Sequence, residues 1–392
     1  MALPPADRLV GRDDELSCLR DLVRAVRDGH GGSAWIQGEA GIGKSALLAA
    51  AVAEARRWGC RVFRAAADEL SQRFPLQVLL DCLEVTGGTT DPARQAILAL
   101  LRPATPDAPA VDPTPAATDD LLSLVDRLCA QPVVLVLDDL QWADEASLLV
   151  WQRLGRRVWQ LPLVLLAAYR PVPRLPHLVR IRQQAADSGA TVLTLRPLAP
   201  EPVDRMVASL AGASAVGPGL RGTVARAAGN PLYVREVVDA LLRERLVRVE
   251  GGTVDLVRGD RHERVPPSLV AAISDRLGFL SAGTLAVLRT AALLDGEFPF
   301  ADLTVVAGRP AVELAPLIDE ALRAGVMVES GSQLTFRHGL IRQVLNDGTP
   351  AALRLALHRQ AAGALREAGA PPERVAQQLL AWCRRAHGAN DA

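Results

Sequence analysis

The sequence contains almost no lysine. Of the 44 lysine and arginine residues in this chain of 392 residues, only Lys44 is a lysine. A flexible ammonium group and a planar guanidinium are not interchangeable where a ligand is bound in a narrow space. Lys44 lies in the glycine-rich segment 38–45, GEAGIGKS. We therefore expect Lys44 to serve a role that arginine cannot, and phosphate binding is the first hypothesis.

Net charge and long apolar runs are also absent. The 44 acidic residues balance the 44 basic ones, so there is no general electrostatic reason to expect a nucleic acid or a membrane surface as partner. No apolar run approaches the length that spans a bilayer, and residues 1–11 have no apolar stretch of the kind found in a secretory signal. We expect no membrane partner.

Cysteine is scarce and shows no pairing pattern. The five cysteines are odd in number, widely spaced and without a CxxC pair, which is typical of reduced thiols in the cytoplasm. We expect a cytoplasmic protein whose cysteines act as small hydrophobic side chains of the core.

The first half of the sequence alternates between short apolar segments and segments with helical periodicity. Strands are predicted at 34–37, 61–65, 133–137, 163–168 and 191–195. Helices are predicted at 16–26, 45–58, 75–83, 91–101, 119–130 and 144–160, with a surface excursion at the proline- and alanine-rich residues 103–118. Strands this apolar, separated by helices, predict an α/β fold with a parallel sheet covered by helices on both faces.

The alternation stops after residue 197, and helices dominate the second half. They are predicted at 201–210, 220–228, 231–243, 268–277, 282–293, 301–307, 311–324, 351–368 and 372–386. One hairpin is expected around Gly251 and Gly252, and a second one at 326–336. This order predicts an all-α lid, a winged-helix domain and the start of a helical array. The expected domains are residues 1–199, 200–264, 265–350 and 351–392.

The segment 38–45 matches the pattern GxxxxGK[ST] completely. In such a loop the glycines let backbone N–H groups turn toward phosphate oxygens, the lysine reaches the β and γ phosphates, and the hydroxyl of Ser45 can bind Mg²⁺. A predicted strand before the loop and a predicted helix after it supply the required context. The nucleotide-binding residues predicted from this loop are Gly38, Gly41, Ile42, Gly43, Lys44, Ser45 and Ala46.

Two acidic residues, Asp138 and Asp139, follow the apolar strand predicted at 133–137. They come about ninety residues after the loop, a separation typical of P-loop folds in which the second strand lies beside the first. We assign Asp138 to the Mg²⁺ shell and Asp139 to the attacking water, although the two roles could be exchanged. A pair of acids after a strand can also be a helix cap, so the assignment depends on the loop.

A cationic residue, Arg170, ends the next predicted strand. Ligands of parallel sheets bind at the carboxyl ends of the strands, so an arginine there can contact a γ phosphate. The alternative is an ordinary surface arginine.

Four strings together resemble a known family. They are LVGRDDEL at residues 9–16, the loop at 38–45, LDDLQWAD at 137–144 and GNPL at 229–232. In combination they resemble the STAND class of AAA+-like ATPases, in particular the large LuxR-type (LAL) transcriptional regulators, over nearly the whole chain. The resemblance implies a nucleotide-binding domain, a helical lid and a regulatory winged helix.

The resemblance also implies roles for individual residues. Val10, Gly11, Arg12 and Pro231 would contact the nucleotide, and Arg170 would be the sensor arginine. The string FRHGLIR at 336–342 resembles the winged-helix MHD-type signature, whose histidine, here His338, touches the β phosphate of ADP. The residue after His338 is glycine instead of aspartate, so a purely structural histidine is the alternative.

The expected function is an ATP- and ADP-binding switch of a signal-responsive transcriptional regulator, with slow Mg²⁺-dependent ATP hydrolysis. ADP would hold a closed state, and ATP an open or self-associating one. DNA would be bound only through a C-terminal domain outside these residues. The chain is expected to be the N-terminal part of a longer regulator, and a short form that acts through partners is the alternative.

Two alternatives remain. The first is an initiator-like protein whose winged helix binds DNA directly, but the helix predicted at 311–324 carries Glu313, Asp319 and Glu320 against Arg323. The second is an AAA+-type ATPase or motor, in which Arg156 or Arg157 could act across a subunit boundary.

Overall fold

The chain divides into two units, Met1–Arg196 and Pro197–Ala392. Five parallel strands form the centre of the first unit. The structure is a computed structural model that describes residues 9–68, 71–101, 112–171, 175–257 and 267–388. The strands of the first unit are β1 (Gly32–Gln37), β2 (Arg61–Ala66), β3 (Val133–Asp138), β4 (Leu163–Tyr169) and β5 (Thr191–Thr194). Its helices are α1 (Asp13–Arg27), α2 (Lys44–Arg57), α3 (Gln77–Cys82), α4 (Pro92–Leu101), α5 (Thr114–Leu128), α6 (Glu145–Arg157) and α7 (Pro176–Asp187).

The strands follow the order β2-β3-β4-β1-β5 across the sheet, and every neighbouring pair is parallel. The prediction of a parallel sheet covered by helices is therefore confirmed. The expectation that the strand before the acidic pair lies beside the strand before the loop is wrong. β4 lies between β3 and β1, pairing Leu165 with Leu135 on one side and with Ser33 on the other. Sequence separation does not determine which strands become neighbours, because a helical crossover can skip positions in the sheet.

Side chains alternate between the two faces of the sheet and build a separate apolar core on each face. On β1, for example, Trp35 enters the core that contains α3, α5 and α6, while Ala34 and Ile36 enter the core formed with α1 and α2. β3 and β4 are buried at every position. This burial explains why their sequences are continuously apolar instead of alternating.

Two predictions for the first unit need correction. The excursion predicted at 103–118 overlaps α5, which starts at Thr114. The proline in its first turn does not prevent a helix, because the N–H group that proline lacks would form no hydrogen bond there. Residues 102–111 of that excursion lie outside the described part of the chain. Helix α7 was not predicted; only Leu178 of its residues is buried, so little of its sequence belongs to an apolar face.

The second unit is mostly helical. It contains α8 (Pro200–Ala211), α9 (Pro218–Val224), α10 (Pro231–Arg243), α11 (Pro267–Arg276), α12 (Ala282–Ala291), α13 (Phe300–Ala307), α14 (Ala311–Arg323), α15 (Gly339–Asp347), α16 (Ala351–Glu367) and α17 (Pro372–Gly388). Its strands are β6 (Ala215–Val216), β7 (Val247–Glu250), β8 (Thr253–Leu256), β9 (Phe298–Pro299), β10 (Met327–Ser330) and β11 (Gln333–Phe336).

Both predicted hairpins of the second unit are present, and each is extended by a third strand. β6 pairs with β8 next to the hairpin β7–β8, and β9 pairs with β11 next to the hairpin β10–β11. The segment expected to be an all-α lid therefore also carries a small sheet. Strands of two residues, such as β6 and β9, are too short to give a periodic signal in the sequence. One apolar core extends from Val207 to Leu365; the expected boundaries at 264/265 and 350/351 remain predictions.

The thiols follow the expectation only in part. Cys60, Cys82 and Cys129 are buried, Cys18 is half-buried and Cys383 is exposed. Burial raises the pKa of the Cys82 thiol to about 12, so this group is an inert core side chain at neutral pH.

Among the helices of the described residues, none combines the length and the hydrophobicity needed to cross a membrane.

The acidic residue before α6 should be important for stability. Asp144 Oδ1 accepts hydrogen bonds from Ser147 N at 2.8 Å and Leu76 N at 2.9 Å, and Oδ2 accepts one from Ser147 Oγ at 2.6 Å. Asp144→Ala removes this cap and leaves buried donors unsatisfied, so we expect the free energy of unfolding to fall by about 2 kcal/mol in urea denaturation. The matched control is Glu145→Ala, at the exposed next position, with an expected loss of about 0.5 kcal/mol or less. Equal losses for the two variants would contradict the capping role.

Candidate functional site

The loop between β1 and α2 has the backbone geometry that anion binding requires. Gly43 is the N-cap of α2 with φ at 106°, in the left-handed region that favours glycine. A Cβ at Gly43 would meet no heavy atom within 4 Å, so the backbone conformation, and not crowding, requires the glycine. The first turn of α2 contains no acidic side chain. The N–H groups at the start of α2 can therefore attract an anion.

The other residues predicted from the loop lie around Gly43. Gly38 N donates to Tyr169 O at 3.4 Å, and Ile42 is fully buried beneath the loop. Gly41, Ser45 and Ala46 are half-buried, the last two in the first turn of α2.

The ammonium of Lys44 is held over the loop by backbone oxygens. Lys44 Nζ donates to Gly38 O at 2.9 Å and to Glu39 O at 2.8 Å, and the residue is 6% exposed. Burial, followed by the positive charge of Arg170, lowers the pKa of Lys44 to about 8, although Asp139 and Asp138 act in the opposite direction. Burial thus disfavours the charged form of Lys44, and a bound phosphate group would stabilise that form.

The first acid, Asp138, is the last residue of β3 and is 3% exposed. Its Oδ1 accepts a hydrogen bond from Asp139 N at 2.9 Å, and its Oδ2 lies 3.8 Å from Arg64 Nη2. Arg64 comes from the neighbouring strand β2, where it pairs in register with Val136. Asp138 is thus a buried carboxylate at the end of β3 with one arginine nearby.

The second acid, Asp139, has a left-handed backbone, with φ at 51°. Asp139 Oδ1 lies 3.4 Å from Arg170 Nε and accepts a hydrogen bond from Gln141 Nε2 at 2.9 Å. The contact with Arg170 is an ion pair without hydrogen-bond geometry, since Arg170 Nε has no hydrogen-bond partner among the described residues. Aspartate tolerates this backbone conformation better than most residues.

The sheet order brings these groups together. Lys44 comes after β1, Arg170 follows β4, and Asp138 ends β3 with Asp139 next to it. These three strands are adjacent in the order β3-β4-β1. Their carboxyl ends therefore meet at one edge of the sheet, with Arg170 between Lys44 and the acidic pair. The four residues predicted to carry the phosphate chemistry thus converge in the first unit.

Arg12 contacts the loop through a hydrogen bond to the backbone of Ile42. It is 5% exposed, and its Nη2 donates to Ile42 O at 3.1 Å and to Arg196 O at 2.7 Å, while Nη1 lies 3.3 Å from Glu15 Oε1. These contacts account for the burial of Arg12 without a ligand. Its predicted contact with a nucleotide, and those of the adjacent half-buried Val10 and Gly11, remain predictions.

The two remaining predicted residues, Pro231 and His338, belong to the second unit. Pro231 starts α10, and the preceding Asn230 caps this helix by accepting a hydrogen bond from Leu232 N at 3.1 Å. The ring of Tyr233, also in α10, packs edge-on against the ring of His338 with centroids 4.9 Å apart. The structure thus links the segments of Pro231 and His338 within this unit, and their contact with a nucleotide remains a prediction.

The backbone before Pro231 is tightly constrained. Gly229 has φ at 73°, and a Cβ at this position would lie 2.3 Å from Leu198 O. Glycine is therefore required here by conformation and by space. The first three residues of the GNPL string thus each have a structural role at the start of α10.

Two residues of the site were not predicted as such. Arg64 lies on a strand without any distinguishing pattern, and its proximity to Asp138 depends on the pairing of β2 with β3. Gln141 belongs to the string that carries the family resemblance, but its side chain contacts residues at the ends of two strands, one of them 29 positions away. Neither contact can be recognised from the residues next to it in the sequence.

Comparison with known proteins places the first unit among P-loop ATPase folds. Residues 8–166 match the family model of the AAA ATPase domain, and residues 201–255 match a domain of unknown function (DUF8739). No curated protein sequence matches the chain.

Solved structures share the fold at low sequence identity. A Walker-type ATPase of Pyrococcus abyssi is 14% identical with a TM-score of 0.57, and the match covers 86% of this chain and 96% of that protein. The ORC2 protein of Aeropyrum pernix, in ADPNP–ADP complexes, is 16% identical with a TM-score of 0.52, covering 93% and 96%. A STAND protein of Pyrococcus horikoshii with a tetratricopeptide repeat sensor is 15% identical, covering 97% of this chain and 49% of that one, but its TM-score of 0.40 is too low to support any statement.

The lowered pKa of Lys44 predicts a pH dependence of nucleotide affinity. Bound phosphate raises the pKa of Lys44 again, so above about pH 8 binding must be accompanied by uptake of a proton. We expect the affinity for ADP to fall about ten-fold between pH 7 and pH 9 in calorimetric titrations, with proton uptake visible as a dependence on buffer ionisation heat. An affinity that does not change over this range would contradict the assignment of Lys44.

Proposed function

We propose that the chain is an ATP- and ADP-binding molecular switch with slow Mg²⁺-dependent ATP hydrolysis. The observation that carries this proposal is the convergence of Lys44, Arg170 and the acidic pair at the ends of three adjacent parallel strands. The match of residues 8–166 to the AAA ATPase domain supports it. The ORC2 protein of the same fold was solved with ADPNP and ADP, which supports an adenine nucleotide as the ligand.

The residues present fit a nucleotide with its metal ion. The start of α2 and Lys44 supply donors and positive charge for the β and γ phosphates. Ser45 and Asp138 would hold Mg²⁺, which is usually bound by one or two protein ligands together with phosphate oxygens and water. Among the described residues there is no cluster of three or more His, Cys, Asp or Glu able to hold a metal alone. The proposed site needs none, because the phosphates complete the coordination.

The contacts of Asp139 favour slow hydrolysis. Asp139 and Arg170 are partly exposed, at 29% and 40% of their side chains, so their ion pair contributes only about 0–1 kcal/mol. A γ phosphate can therefore draw Arg170 away at little cost. Arg170 must turn from Asp139 to the γ phosphate before hydrolysis, which adds a step to every turnover.

The regulatory part of the proposal depends on the sequence resemblance to STAND regulators. ADP would stabilise a closed state and ATP an open or self-associating state, and Pro231 and His338 would respond to the nucleotide. The domain expected at residues 265–350 would be the regulatory winged helix, and it includes three helices followed by a hairpin at 282–336. Transcriptional output would require a separate DNA-binding domain.

Direct DNA binding by α14 is not favoured by its charges. Arg323 lies 2.7 Å from Asp319 Oδ2, and Arg309, just before the helix, lies 3.2 Å from Glu313 Oε2. Glu320 accepts hydrogen bonds from Ser281 and Thr284. A helix whose arginines are neutralised by its own acids offers little attraction for phosphates.

Removing the ammonium group tests the binding site directly. Lys44→Ala should abolish measurable binding of ATP and ADP in calorimetric titrations while circular dichroism and the thermal midpoint stay close to the wild type. The matched control is Arg56→Ala, which removes one exposed positive charge from the same helix. We expect this control to bind with the wild-type affinity. Micromolar affinity retained by Lys44→Ala would show that the loop is not the nucleotide site.

The regulatory role of His338 makes a separate prediction. His338→Ala should weaken retention of ADP more than binding of ATP, because the histidine is proposed to contact ADP only in the closed state. The measurement is the ratio of the two dissociation constants in wild type and variant. An equal change in both constants would leave His338 with a structural role beside Tyr233.

A further inference from the structure

A buried glutamine lies between the two groups that are proposed to perform ATP hydrolysis. Gln141 is 2% exposed, and its side-chain amide contacts the side chain of Asp139 and the backbone of Arg170. We infer that Gln141 is the positioning residue for hydrolysis: it holds the carboxylate of Asp139 in place for the attacking water while Arg170 contacts the γ phosphate. This inference rests on the proposed ATP hydrolysis at the loop.

The two hydrogen bonds fix the orientation of the amide. Gln141 Nε2 donates to Asp139 Oδ1 at 2.9 Å, and Gln141 Oε1 accepts from Arg170 N at 2.9 Å. A rotated amide would place its oxygen against a carboxylate and its NH₂ group against an N–H donor. One neighbour can only accept a hydrogen bond and the other can only donate one, so the amide has a single favourable orientation.

The backbone of Gln141 is held on both sides. Leu140 is 1% exposed in the apolar core, and Asp144 is fixed by its hydrogen bonds with Ser147 and Leu76. Gln72 Nε2 donates to Gln141 O at 3.2 Å. The amide thus projects from an anchored turn, so its contacts are available before any ligand binds.

The difference between the two partners of Asp139 suggests what Gln141 does. The side chain of Arg170 is 40% exposed and can turn toward a phosphate, whereas Gln141 is buried and stays in place. When Arg170 leaves, Gln141 keeps Oδ1 of Asp139 fixed. Both contacts involve Oδ1, so a water molecule is expected to be oriented by Oδ2.

The chemical step is simple hydrolysis. The oxygen of the water forms a bond to the γ phosphorus, and the bond from the γ phosphorus to the bridging oxygen breaks, with its electron pair remaining on ADP. The water proton passes to Asp139 Oδ2 and then to solvent. Gln141 takes no part in bond making, but it restricts the carboxylate to the geometry that this proton transfer requires.

The isosteric variant Gln141→Met separates positioning from folding. Single-turnover hydrolysis of ATP should slow at least about ten-fold, while the dissociation constant of ADP should change by less than about two-fold. The matched control is Gln72→Met, which removes a hydrogen bond to the backbone of the same residue and none to Asp139. We expect this control to hydrolyse ATP at the wild-type rate.

The variant Gln141→Glu provides a readout that a structural role would not change. Its ionised carboxylate would repel Asp139, whereas its protonated form can donate a hydrogen bond to Asp139 as the native amide does. The rate relative to wild type should therefore be low at pH 8 and recover toward pH 6. A constant ratio across this range would overturn the inference.

The outcomes distinguish this inference from the proposed function. If wild type and Gln141→Met bind ADP equally and hydrolyse ATP equally, the positioning role is wrong and the proposed function stands. If the wild type binds ADP but hydrolyses no ATP, the hydrolysis part of the proposed function fails and the positioning role fails with it. If Gln141→Met loses ADP affinity and thermal stability in proportion to its rate, the role of Gln141 is structural. If the wild type binds no nucleotide, the proposed function itself fails.

Discussion

The pairing of β4 with both β1 and β3 determines how the charges of the site are arranged. β4 places Arg170 between the strand that leads into the phosphate loop and the strand that ends in the acidic pair. Lys44 and the acidic pair therefore follow strands that are not neighbours, and Arg170 follows the strand between them.

Burial disfavours the charged form of Lys44, and a bound phosphate group would stabilise that form. Lys44 is 6% exposed and close to a second cation, and its lowered pKa reflects both conditions. Arg170 finds a partner in Asp139, and Asp139 a second one in Gln141. Binding of a polyphosphate would satisfy Lys44 and compete for Arg170, which connects ligand binding to the state of the proposed catalytic carboxylate.

The sequence alone predicted the parallel sheet, the phosphate loop and the residue types of the site, because each of these depends on local pattern. The apolar strands β3 and β4 and the GxxxxGK[ST] loop are readable without any knowledge of the fold. The neighbour relations of the strands were not readable, and the position of β3 relative to β1 was predicted wrongly for that reason. Arg64 and Gln141 were missed as site residues because their contacts cross between strand ends. Pro231 and His338 were named by the family resemblance, and the structure shows Pro231 at the start of α10 and His338 packed against Tyr233.

The central claim is that the loop of the first unit binds an adenine nucleotide. The most direct test is a calorimetric titration of the wild-type chain with ADP in the presence of Mg²⁺ at pH 7. The account predicts one binding site per chain with a dissociation constant of about 10 μM or below, equivalent to at least about 7 kcal/mol of binding free energy. No saturable binding at ADP concentrations up to about 1 mM would contradict it.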